Sequence, residues 1–119
     1  MGKSNEKDKK NLQITEYPQI LRELFEKLQI SSLEHFDTEI APLYGDLPYH
    51  NFEHAHQVLD HTLLLCDRCH RYNIDYDIQA LYFAALFHDA GYHQDHTALG
   101  YETKEHYAAA LATDFLTTK

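Results

Sequence analysis

The chain has 119 residues, room for one domain with one hydrophobic core that buries somewhat over ~60% of the surface of its unfolded chain. With 44% apolar and 24% charged residues it reads as a globular chain, and no apolar run reaches the ~18–20 residues that span a bilayer. Ten basic residues against 19 acidic ones give a net charge of −9, which repels nucleic acid and anionic membrane, where affinity depends on basic side chains that release counterions.

Residues 1–13, MGKSNEKDKKNLQ, are polar and charged and read as a flexible tail; residues 14–119 form the domain. The tail lacks an apolar signal core, and Glu6 stands where a myristoylation pattern needs Ser or Thr. Two cysteines without an export signal point to free thiols in a reducing, cytoplasmic setting.

From Pro18, a residue suited to a first helical turn, Ile20, Leu21, Leu24, Phe25 and Leu28 recur at helical spacing. Ser31 and Ser32 are expected to cap a short second helix that runs to about Ile40. Residues 41–49, with two prolines and a glycine, form an irregular connection. A long helix is expected from Asn51 or Phe52 to about Tyr72, with Ala55, Val58, Leu59, Thr62, Leu65, Cys66 and Cys69 as its apolar stripe, ended by Asn73. Asp75 is the expected cap of the next, in which Ile78, Leu81, Tyr82, Ala85 and Leu86 are apolar, and Gly91 terminates it just after His88-Asp89. Residues 92–100 read as a polar loop. A last helix starts near Thr103, with Tyr107, Ala108, Leu111 and Phe115 inward. No stretch alternates as a strand does, so the fold class is all-α.

Ten histidines are an ample supply of metal ligands. His50 and His54, taken as one helical turn apart, lie about 40° apart around the axis and roughly 6 Å along it, so they share a face. His88-Asp89 closes the most hydrophobic run, where a carboxylate leaving water costs several kcal/mol unless it is paired or bound to metal. Neighbours on a helix diverge by about 100°, so both reach one ion only at a helix end, where Ala90 and Gly91 put them. The bland alternatives are a surface histidine pair and a capping aspartate beside an exposed histidine.

Taken jointly, Tyr49-His50-Asn51-Phe52-Glu53-His54-Ala55 and His88-Asp89-Ala90-Gly91-Tyr92 resemble the HD-domain superfamily of metal-dependent phosphohydrolases: the first run is similar to the YHNxxHA signature of its phosphodiesterases, the second to the HDxGY doublet of its small hydrolases. The resemblance covers roughly residues 44 to 116. It implies an HD-like helical bundle in which His54, His88 and Asp89 bind a divalent transition metal (Mn, Fe, Co, Ni or Zn) and His50 is general acid toward the leaving oxygen of a small phosphorylated substrate, such as a nucleotide. Lys104-Glu105-His106-Tyr107-Ala108 takes the place of a family N-E-x-x-S-A pattern, which makes Glu105 a ligand-orienting residue or base.

The family's last ligand, an aspartate on a later helix, has no clear counterpart; Asp114, the acid near the C-terminus, is not expected to serve. Thr117-Thr118-Lys119 reads as mid-helix, so the C-terminal portion of the fold is expected to be absent. Two other readings remain: a non-catalytic metal- or nucleotide-binding HD module, and a di-iron oxygenase in which His93 or His96 adds a ligand. Cys66-Asp67-Arg68-Cys69-His70 matches the c-type haem attachment pattern, but haem attachment requires export, and cysteines on an apolar stripe pack as small hydrophobes. A structural zinc on Cys66, Cys69 and His61 or His70 is limited by a helix pointing these residues to different sides.

Overall fold

The computed structural model describes residues 18–118, and among them the regular structure is entirely helical, with no strand. The tail expected over residues 1–13 and the outer limits of the expected domain lie outside the described residues.

Helix α1, Pro18–Leu28, buries Ile20, Leu21 and Leu24. It ends as a Schellman turn: Gln29 takes φ 55°, the Ile30 N–H donates to the Phe25 carbonyl at 3.0 Å, and Ile30 closes the apolar contact. The second helix is shorter than expected. Residues 31–36 form turns, and α2 covers only Asp37–Ile40, running into a 3₁₀ turn at Ala41–Leu43. The reason is tertiary: the Leu33 carbonyl accepts the buried Tyr82 hydroxyl at 2.8 Å, and the Asp37 N–H donates to the Glu34 carbonyl instead.

Helix α3, Phe52–Arg71, starts on Asn51, whose side-chain oxygen accepts the His54 N–H at 2.8 Å. Its buried residues are Ala55, Leu59, Leu63, Cys66 and Asp67. Leu65, expected in the stripe, is 58% exposed, because six residues on from Leu59 it has turned about 240° around the axis. Asn73 at φ 57° and the bond from the Ile74 N–H to the Cys69 carbonyl end this helix as expected. Helix α4, Ile78–Phe87, is capped by Asp77 rather than Asp75: the Asp77 carboxylate accepts the Ala80 N–H. Helix α5, Lys104–Thr117, is capped by the Thr103 hydroxyl and buries Tyr107, Ala108 and Phe115; Thr118 closes it with an N–H bond to the Asp114 carbonyl.

Helix α4 is the hub. It packs most extensively on α3 and also on α1 and α5, and it supplies Ile78, Tyr82, Phe83, Ala85, Leu86 and Phe87 to the core. Phe36, Phe83, Phe87 and Phe115 meet with ring centroids 5.4–6.2 Å apart, which ties α5 onto this hub. No helix of the described residues is long and apolar enough to cross a membrane.

Candidate functional site

The site forms where α4 ends. His88 caps the helix, and the turn behind it carries three backbone bonds: Ala90 N–H to Phe87, Tyr92 N–H to Asp89, and Gly91 N–H to the Leu43 carbonyl at 2.8 Å. Gly91 sits at φ 76°, and a Cβ there would collide with the Tyr107 ring and press on Leu111. Only glycine fits this corner. On the other side, the buried Tyr44 hydroxyl donates to the Leu86 carbonyl at 2.7 Å and accepts the Asp89 N–H at 3.3 Å. Burial pushes the Tyr44 hydroxyl well above its ordinary range, only partly offset by that Asp89 bond, so it remains a donor. The His-Asp doublet is thereby pinned from both sides.

The histidine chemistry follows from hydrogen-bond bookkeeping. His88 Nδ1 lies 2.9 Å from the Ala85 carbonyl, which only accepts, so Nδ1 carries the proton and donates. His88 Nε2 then faces Asp89 Oδ2 at 3.3 Å with its lone pair unless it too is protonated. Two acceptors this close repel unless they share a cation, either a proton or a metal ion. Histidine ligands commonly fix their ring in this way, donating the second nitrogen to a carbonyl. His50 Nδ1 donates to the same Asp89 Oδ2 at 2.8 Å, which turns His50 Nε2 away from the carboxylate. The His50 ring also stacks flat on Tyr92, with centroids 3.8 Å apart and 8° between planes. Lys104 holds Tyr92 in turn, its Nζ donating to the Tyr92 carbonyl at 2.7 Å and lying 4.4 Å from the ring centroid.

His50 reaches Asp89 by a different route from the one the helical spacing predicts. It precedes the Asn51 cap and so lies outside α3; Tyr49 at φ 65° and a tight bond from the His50 N–H to the Pro48 carbonyl swing it across. His54, in the first turn of α3, comes close to His88, with ring centroids 5.9 Å apart, and its Nδ1 lies 3.3 Å from the Gln57 side-chain oxygen. Glu105 shares with His88 the lining of a groove between α4 and α5. Asp114 is exposed, nine residues and roughly 14 Å farther along α5 than Glu105. His93 packs over Gly45. As the side chains stand, no group of three or more His, Cys, Asp or Glu among the described residues converges on one point as a metal cage does. The three expected ligands are joined pairwise, His54 to His88 and His88 to Asp89, and their mixed N/O donor set suits a borderline divalent ion.

Tyr92 belongs to the second motif and Tyr44 stands shortly before the first; their contacts with His50 and Asp89, and the hold of Lys104 on Tyr92, are set by the tertiary structure. No family model, curated protein or solved structure matches the chain.

Proposed function

We propose that the chain is a metal-dependent phosphohydrolase of the HD type, acting on a small phosphoester in a cytoplasmic setting. The supporting observation is the 3.3 Å approach of His88 Nε2 to Asp89 Oδ2, with His88 Nδ1 already donated to Ala85, which leaves an acceptor pair suited to a shared cation. His54, His88 and Asp89 would hold a divalent transition ion. Bound there, it supplies a lowered pKa for water and positive charge against the phosphate, which a chain of net charge −9 otherwise repels.

The chain's own residues orient the rest. Asp89 and Tyr92 fix the His50 ring by one hydrogen bond and one stacked face, so when the ring carries its second proton, with Asp89 as counter-charge, Nε2–H is the bond that passes a proton to a leaving alkoxide and leaves the neutral ring. Glu105 lines the groove that His88 also lines, and in this reading it serves as a general base or an orienting carboxylate.

The test is a phosphomonoester and phosphodiester panel on metal-loaded chain, with metal content measured alongside, repeated on His54→Ala. Turnover that disappears together with the metal supports the reading. Metal bound without turnover in the wild type would leave a binding module, and two ions per chain would favour the di-iron alternative.

A further inference from the structure

Helix α4 is apolar on nearly every side, the pattern of a helix enclosed all round. Yet one face of it forms the wall of an open groove of about 560 Å³ against α5. Ala80, Ala84, Ala108, Ala109, Ala112 and Leu116 make much of that lining. Along α4 the polar lining residues stand only at the first turn, Asp77 and Gln79, and at the C-cap, His88; between them come Ala80, Phe83, Ala84 and Phe87. Asp77 already accepts the Ala80 N–H.

Two features limit what fits. The lining contains no lysine or arginine, and Glu105 and Asp77 are acids, so the groove itself does not hold a phosphate. Its middle offers no side-chain donor or acceptor to a nucleobase, whose buried polar edges would lose their water partners there. An apolar body loses none. The groove is continuous with the candidate site, because His88 lines the one and faces Asp89 in the other.

We propose that this groove binds the uncharged, apolar organic body of a phosphoester whose phosphate lies at His88 and Asp89. The inference rests on the phosphohydrolase reading and narrows its substrate class away from nucleotides. Its volume is in the range of ~300–1,000 Å³ usual for small-ligand sites.

The test uses the full chain with Mn²⁺ and titrates 1-naphthyl phosphate, methyl phosphate and AMP by calorimetry, with 1-naphthol added to metal-free chain. The naphthyl ester should bind about tenfold tighter than methyl phosphate, and tighter than AMP. Ala84→Phe and Ala109→Phe fill the groove from exposed positions without entering the core, and each should abolish that preference while leaving methyl phosphate within about twofold. Equal affinities, or a preference that survives in both variants, would overturn the proposal. So would a wild-type dimer that both variants split in sedimentation, since a second copy would then own the groove. If Mn²⁺ fails to bind while 1-naphthol binds and both variants lose it, the hydrolase reading falls and the apolar site stands. Methyl phosphate turned over with no naphthyl preference gives the reverse.

Discussion

At the N-terminal end of α3, His50 and His54 meet the break after α4, whereas at its C-terminal end Cys66, Asp67, Cys69 and His70 stay inside a continuing helix. The residue types are comparable, and both ends match a metal or cofactor pattern in sequence. At the first end, left-handed Tyr49 and Gly91 bend the backbone so that His50, His88 and Asp89 come together. At the second, successive side chains diverge by about 100°. Cys66 points into the core at 1% exposure while His70 is exposed, and Asp67 pairs with Arg71 at 2.8 Å. Burial, then the neighbouring Cys69 and Glu23, push the Cys66 thiol up to about 11, so it is a packed hydrophobe rather than a thiolate ligand. Convergent chemistry here depends on irregular backbone, and composition alone does not supply it.

Breaking that backbone should have the largest effect. Gly91→Ala forces a Cβ against Tyr107 at a φ of 76° and is expected to destabilise the fold by about 2–3 kcal/mol, read as a lower urea midpoint. Next comes the stack that fixes His50. Tyr92→Leu should lower phosphoester turnover by about tenfold with little change in thermal midpoint, while Tyr92→Phe, which keeps the ring and the backbone carbonyl that Lys104 binds, should restore it.

A smaller effect is expected at the other end of α3, in alkaline solution. The folded pKa of Cys66 is raised from 9.0 to about 11, so the folded state holds its proton more tightly than the unfolded one. Its stabilising contribution is therefore complete below pH 9 and is lost as pH rises toward 11. Urea titrations at pH 8.5 and 10.5 should differ by ~2 kcal/mol more in the wild type than in Cys66→Ala. The smallest change belongs to His70→Ala, an exposed position, which should stay within about 0.5 kcal/mol of the wild type.

Four of the helices were legible in the sequence from their apolar period, although the cap expected for α4, Asp75, gives way to Asp77. Pro18, Asn51, Thr103 and Asn73 sit where their chemistry predicts, and Tyr107, Ala108 and Phe115 turn inward. The turns over residues 31–36 were not, since a hydroxyl from Tyr82 decides them and no local pattern announces a bond across such a sequence separation. The same holds at the site. His88-Asp89 stood out through its position at the end of an apolar run, but Tyr44, Tyr92 and Lys104 join it through contacts between separate segments. His50 does not share a helix face with His54, as the spacing predicts: it lies before α3, and a turn carries it to Asp89.

The most direct test of the contrast between the two ends of α3 is Mn²⁺ titration of the wild type, Asp89→Asn and the double variant Cys66→Ala/Cys69→Ser. The account predicts one ion per wild-type chain, affinity at least ~100-fold weaker in Asp89→Asn, and no more than about a twofold change in the cysteine variant. Undiminished binding in Asp89→Asn, or binding lost with the cysteines, would contradict it.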